Sequence, residues 1–354
     1  MSQASTIKTS SGNFFEDFRL GPRIQHATPR TVTAGDVAVY NSLFGPRFAV
    51  QSSDAFAAKI GYPRSPLDDL LVFHVVFGKT VPDVSLNAVA NLGYADCRFL
   101  KPVYPGDTLN AVSEVIGLKE NSNKKTGIVY VRSRGFNQSG DVVLDYARWV
   151  MVRKRNEAAP APGDKVPDLP KSVEPSQLGA GCPQINAAEY DTVLAGSPCR
   201  FGDYQAGEKI DHVVGITVED AEHMMATRLY QNTARIHFDH FTESKGRFGR
   251  RLIYGGHAIS LARALSFNGL ANAFHVAAIN GGRHVAPLFA GLTVFAWSEV
   301  LATAELPGRN DVGALRLRTV ATKDRPCADF PYKAGEDYDP SVILDLDYWV
   351  LMPK

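Results

Sequence analysis

Three stretches in the first half of the chain, LNAVSEVIGL (109–118), GIVYVRSRGF (127–136) and DVVLDYARWVMVRK (141–154), alternate apolar with polar positions and are rich in β-branched and aromatic residues. A period of two sends successive side chains to opposite faces, so these read as strands with one face buried. The sequence Asn-Gln-Ser-Gly at 137–140 supplies the turn before the third. A different pattern marks HAISLARALSFNG (257–269), which is apolar around most of its circumference, as expected of a helix wrapped by a sheet. LDDLLVFHVVFGK (67–79) takes the same place in the first half. The predicted class is α+β, with an antiparallel sheet around one central helix in each half.

The two halves are copies of one domain. FFEDFRLG (14–21) falls on RFGDYQAG (200–207), His26 on His212, and Thr31-Val32 on Thr217-Val218, all at an offset of 186 residues. Pro102-x-x-x-Gly106-x-Thr108 falls on Pro287-x-x-x-Gly291-x-Thr293 at 185, and Ser113-Glu114-Val115 on Ser298-Glu299-Val300. VLDYARWVMV (143–152) falls on ILDLDYWVLM (343–352) at 200, which locates an insertion of 15 residues within TKDRPCADFPYKAGEDYDPS (322–341). Domains are therefore expected at 1–155 and 199–354. Between them, 156–198 is read as a linker, because RKRNEAAPAPGDKVPDLPKSVEP (153–175) is rich in proline and charge and lacks apolar periodicity. QINAAEYDTVL (184–194) is expected to form a short helix.

A length of 354 residues suits two such domains. The formal charge of +1, with both signs scattered, gives no footprint for nucleic acid or an acidic membrane, so a small molecule is the expected partner. The four cysteines (Cys97, Cys182, Cys199, Cys327) are far apart without a C-x-x-C, which argues against a zinc cluster or a disulfide framework and for a reducing compartment. The N-terminus, MSQASTIKTSSGN, has no apolar core of a signal peptide, and no run approaches the roughly 20 apolar residues of a spanning helix. A cytoplasmic protein is expected. No histidine, cysteine and carboxylate group has metal-ligand spacing, and no glycine-rich phosphate loop is present.

Candidate chemistry is concentrated between Leu229 and Ile259. Asn232, His237, the basic residues Arg247, Arg250 and Arg251, and the Gly255-Gly256 pair that opens the apolar helix all lie there. His26 and His212 occupy matched positions, as do Asp145 and Asp345, and Arg98 and Arg283; recurrence in both copies favours a structural role for such residues.

These residues resemble the MaoC-like dehydratases, which include the (R)-specific enoyl-CoA hydratases. That family's pattern runs S-G-D-x-N-P-x-H-x-D, then I-x-H-G-M, then P-V-x-P-G-D-T. The second copy offers Tyr230-Gln231-Asn232-x-x-x-x-His237-x-Asp239, Ile253-Tyr254-Gly255-Gly256-His257 and Pro287-Leu288-Phe289-Ala290-Gly291-Leu292-Thr293. The first offers Phe44-Gly45-Pro46-x-x-x-x-Gln51 and Pro102-Val103-Tyr104-Pro105-Gly106-Asp107-Thr108. Nearly the whole chain is covered, and the LYQNTA-x-x-HF-D version of the site is most similar to the mesaconyl-CoA hydratases (β-methylmalyl-CoA dehydratases).

The resemblance implies a double hotdog and reversible hydration of an enoyl-CoA thioester. One active site is implied, because Pro46 and Gln51 replace the family's Asp and His in the first copy. The second copy departs too: Asn232 stands where the family has Asp, and an amide is no general base. His237 is then the acid or base, Asn232 a water ligand through its amide oxygen, and the Gly256 N–H the oxyanion donor at a helix N-terminus. The competing reading of the glycine pair is close packing. Tyr254 and His257 could orient substrate, with packing the favoured reading for both, and Arg283 or Arg235 could bind a substrate carboxylate. Arg247, Arg250, Arg251 and Lys101 would meet the phosphates of coenzyme A, which enters as part of the substrate; no other cofactor is implied. A hotdog thioesterase or acyl-carrier dehydratase, and a non-catalytic acyl-CoA-binding protein, remain open. A tandem repeat is already a pseudo-dimer, so either a monomer or a homodimer is compatible.

Overall fold

The computed structural model describes residues 8–354; the leading MSQASTI lies outside them. In the first copy, β1 (Arg23–Gln25) and β2 (Arg30–Thr31) precede helices α1 (Ala34–Phe44), α2 (Ala49–Ser52), α3 (Asp54–Lys59) and α4 (Asp69–Thr80). Strands β3 (Ala88–Phe99), β4 (Thr108–Glu120), β5 (Thr126–Phe136) and β6 (Val142–Arg153) follow. The second copy repeats this order with β7 (Lys209–Asp211), β8 (Ile216–Thr217), α5 (Asp220–Leu229), α6 (Arg235–Phe238), α7 (His240–Glu243) and α8 (Gly255–Leu265). It continues with α9 (Phe267–Leu270), β9 (His275–His284), β10 (Thr293–Glu305) and β11 (Val312–Lys323). The small hairpin β12 (Lys333–Ala334) and β13 (Asp337–Tyr338) and the last strand β14 (Val342–Pro353) complete it. The hairpin lies inside the 15-residue insertion read from the offset change.

The long strands form one sheet in the order β1-β4-β5-β6-β3-β9-β14-β11-β10-β7, which reads the same from either end under the repeat. The copies meet where β3 pairs antiparallel with β9, Cys97 opposite Ile279. Alternation does what the sequence pattern predicts: along β6, Tyr146, Arg148, Val150 and Val152 are all 0% exposed and share the inner face. The two central helices are wrapped on all sides, so every residue of α4 from Leu70 to Thr80 is buried. That is why neither shows a polar stripe.

The matched histidines are structural. His26 Nε2 meets Ser113 Oγ at 2.7 Å, and Ser113 meets Ser133; His212 Nε2 meets Ser298 Oγ at 2.8 Å, and Ser298 meets Thr319. Each pins a short leading strand to the sheet from the buried side. Asp145 is bound by Arg132 and Arg134, and Asp345 by the hydroxyls of Tyr332 and Tyr338 from the insertion.

Residues 156–198 are not a free tether. Val173, Leu178, Cys182, Ile185, Tyr190 and Ala195 are buried in a core with α2, α3 and the strands of the second copy. The Val173 N–H donates to Asn280 Oδ1 at 2.8 Å, and the Ile185 N–H to Asp311 Oδ2 at 2.7 Å. The helix expected over 184–194 is instead a 3-10 turn at Ala187–Glu189 followed by a separate turn in which the Ala195 N–H donates to Asp191 O at 2.9 Å. Among the described residues, no helix is long and apolar enough to cross a membrane.

Candidate active site

A cavity of about 700 Å³ opens between the copies, within the range of ligand sites. One wall is the first copy's Phe77, Ser85, Asn91, Tyr94, Arg148 and Arg153; the other is the second copy's Asn232, His237, Tyr254, Gly255 and His284. The matched position in the other half is closed. There Leu70, Arg263, Val276, Ile279 and Tyr348 leave about 10 Å³, the room of one water. These residues stand at the repeat positions of Gly256, Phe77, Asn91, Tyr94 and Arg148: Leu70 fills the place of the glycine, Arg263 that of the phenylalanine, and the apolar Val276 and Ile279 replace the asparagine and tyrosine.

Helix α5 ends at Leu229, and Gln231 with φ 54° turns the chain so that the Asn232 N–H donates to Thr227 O at 2.9 Å. This turn presses on α4 of the other copy: a Cβ at Gly78 would lie 1.9 Å from Tyr230 O. Only glycine admits that approach, and it sets Asn232 at the cavity wall. Asn232 Oδ1 accepts the Ala234 N–H at 3.0 Å, which uses one of its two lone pairs. The free end is the NH2, a donor.

His237 follows in the short α6. Its Nδ1 donates to Leu252 O at 2.9 Å, which fixes the tautomer and leaves Nε2 as the acceptor. Burial pulls its pKa down to about 4, opposed by the Leu252 carbonyl. At neutral pH it is a neutral imidazole with one lone pair available.

Tyr254 caps α8. Its N–H donates to His223 Nε2 at 2.9 Å, and its hydroxyl meets His74 Nδ1 at 3.3 Å. The N–H groups of Gly255 and Gly256 lie in the first turn, where no intrahelical acceptor exists. Gly255 faces the cavity, and the His284 ring occupies the space its Cβ would take, at 2.4 Å. Gly256 sits one residue deeper, where a Cβ would be 2.3 Å from Tyr254 Cε1 and 2.5 Å from His74 Cε1. Close packing and an unpaired N–H therefore coexist at this pair.

The structure gathers Asn232, His237, Tyr254 and Arg247 around the cavity, with Gly256 immediately behind it. It does not gather the rest. Arg235 is exposed, two residues and so about 200° around the helix from His237. Arg283 precedes His284 on β9 and points to the opposite face, its guanidinium 5.5 Å from the Tyr338 ring. His257 is buried edge-on against Phe44 and His223. Arg251 pairs with Asp220 at 3.0 Å, Arg250 Nη2 donates to Ala290 O, and Lys101 pairs with Asp141 at 2.8 Å. Lys245 and Arg153 stand with Arg247 at the mouth instead.

Three polar residues at the cavity or packed behind it were not singled out from sequence. His223 carried no signal, since its partner is a backbone N–H 31 residues away. His284, whose pKa burial pulls down to about 4 with help from His237, was one residue from an arginine that drew attention. Arg148 was legible: it shares the inner parity of β6 with Tyr146 and Val150, where a cation has no business without a partner.

A family model described as mesaconyl-CoA hydratase matches residues 2–332. The chain is 64% identical over 350 residues to a β-methylmalyl-CoA dehydratase of Chloroflexus aurantiacus, covering 99% of each chain. It is 59% identical over 351 residues to a mesaconyl-CoA hydratase of Cereibacter sphaeroides, covering 98% of this chain and 100% of the relative. A solved structure of a MaoC domain protein dehydratase from Chloroflexus aurantiacus superposes with a TM-score of 0.96 at 64% identity, covering 99% of both chains. A Mycobacterium tuberculosis protein with a double hotdog fold superposes with a TM-score of 0.74 at 25% identity, covering 97% of this chain and 99% of that one.

Proposed function

We propose, for a chain that belongs to the mesaconyl-CoA hydratase family and is a hydro-lyase of enoyl-CoA thioesters, that its substrate pair is mesaconyl-CoA and β-methylmalyl-CoA. The observation that carries this reading is the cavity between the copies, where the open N-terminus of α8 faces a neutral histidine and a free amide NH2.

In this reading the substrate thioester lies against Gly255 and Gly256, whose N–H groups receive the negative charge that develops on its oxygen. Asn232 Nδ2 donates to a lone pair of the attacking water and so turns one O–H toward His237 Nε2. That nitrogen takes the proton as the oxygen bonds to C3. The imidazolium then returns a proton to C2 of the enolate, and the net change is addition of H and OH across the double bond. Proton transfer alone carries the reaction, so coenzyme A enters only as part of the substrate. Arg247, Lys245 and Arg153 at the mouth have the charge its phosphates need. Both walls of the cavity come from one chain, so a monomer is competent in this reading.

The test is loss of enoyl absorbance on mixing the protein with mesaconyl-CoA. Hydration supports the reading, whereas free thiol without hydration indicates a thioesterase, and binding without turnover a non-catalytic protein. Asn232→Asp adds a negative charge and removes the donor, beside a substrate that carries a carboxylate of its own. The ratio of kcat/KM for mesaconyl-CoA to that for uncharged crotonyl-CoA is expected to fall about tenfold, the scale of one unscreened charge contact. An unchanged ratio would remove the charge argument.

A further inference from the structure

Arg148 is 0% exposed and lines the cavity. Its Nη2 donates to Thr80 Oγ1 at 2.7 Å and to Ser85 Oγ at 3.3 Å, and its Cζ lies 4.1 Å from the centroid of the Phe77 ring. Nε and Nη1 have no partner, and no carboxylate pairs with the side chain among the described residues. Asn91 is in the same condition. It lines the same cavity, and both its Oδ1 and Nδ2 are buried without partners. Tyr94 stands directly across from Arg148 in the β3–β6 ladder, and a register shift between Asn91 and Gly93 lets Asn91 and Tyr94 face one side although they are three residues apart.

A buried guanidinium with free N–H groups is costly unless an anion completes it. The fold does not require one here. At the repeat position of Arg148 the second copy has Tyr348, whose hydroxyl is satisfied by Thr319 at 3.0 Å; Asn91 and Tyr94 correspond to Val276 and Ile279. The polar set therefore belongs to the open cavity and not to the scaffold.

We propose that Arg148, with Asn91 beside it, is the subsite for the free carboxylate of the acyl chain, and that it selects carboxylate-bearing acyl thioesters over uncharged ones. This rests on the hydratase reading for the placement of the acyl chain. Nε–H and Nη1–H lie on different edges of the guanidinium, so one of them donates to a carboxylate oxygen while the Asn91 amide donates to the other. The role expected of Arg283 or Arg235 thus falls to a residue on the other copy.

The experiment measures binding of two unreactive four-carbon thioesters, succinyl-CoA and butyryl-CoA, by calorimetry. The wild-type protein is expected to prefer succinyl-CoA roughly 100-fold, as a desolvated charge-assisted pair gives. Arg148→Met is expected to bring the two within about threefold, and Arg148→Lys, which keeps the charge but not the planar spread of donors, to retain an intermediate preference. Should Arg148→Met not fold, Asn91→Leu leaves the guanidinium in place and is expected to lower the preference about tenfold, the loss of one hydrogen bond to a charged group. No preference in the wild type, or one that survives these substitutions, overturns the inference. Because binding is read without turnover, failure to hydrate mesaconyl-CoA would count against the proposed activity and not against the carboxylate subsite.

Discussion

Replacing His237 by alanine is expected to lower kcat for hydration about 1,000-fold while the fold persists, the usual yield of a positioned acid or base. The side chain is half-buried, and its one hydrogen bond is to Leu252 O, so its loss removes little that holds the domain together. Circular dichroism and the thermal midpoint check the fold, and single-turnover absorbance checks the chemistry. Restoring a histidine to the first copy by Gln51→His is expected to create no second site. Leu70 stands where Gly256 would be, Arg263 fills the centre against the Phe48 ring at 3.6 Å, and the remaining space is about 10 Å³. Retention of most turnover in His237→Ala, or new turnover from Gln51→His in its background, would remove the assignment of one site to the second copy.

The protein is also expected to lose several kcal/mol of stability on mild acidification. His74, His212, His223 and His257 are fully buried, and burial holds their pKa values near 3, 4, 2 and 3 against an ordinary 6.5. For a base whose folded pKa is depressed, stability is complete above the unfolded value and falls as pH drops below it, since only the unfolded chain takes the proton. Four such groups cost at most about 5.5 kcal/mol between pH 7.5 and 5.5, at about 1.4 kcal/mol per group per pH unit below 6.5. Asp68, held up to about 6 by burial, works in the opposite sense for one proton and offsets part of this. Urea midpoints at the two pH values measure the difference, and His257→Phe should reduce it by about one proton's share. Since His237 itself titrates near 4, activity lost on acidification should coincide with unfolding and not precede it. A stability independent of pH over this range would show that these histidines are reached by water.

The architecture was largely written along the chain because its signals are local. A period of two fixed β4, β5 and β6 nearly to the residue, and the all-round apolar helices at 67–79 and 257–269 announced that each would be wrapped. The offset change placed the insertion that holds β12 and β13. Asn232 and His237 reach the cavity wall together for the same reason, since both belong to one turn and a short helix that follows it.

What the sequence could not supply was the partner of each polar group across the copies. The pairing of β3 with β9 decides that the cavity walled by second-copy residues is completed by Arg148, Asn91 and Tyr94 of the first. Arg283 lies on the strand beside the central helix, but neighbouring residues of a strand face opposite ways, and the side that faces the cavity is occupied by His284. The segment 156–198 read as a linker because it lacks periodicity, yet a chain of turns laid over a sheet needs none: it is ordered by Asn280, Asp311 and the apolar surface beneath it. Local periodicity determines elements and faces; only packing between distant segments determines which unsatisfied donors share a cavity.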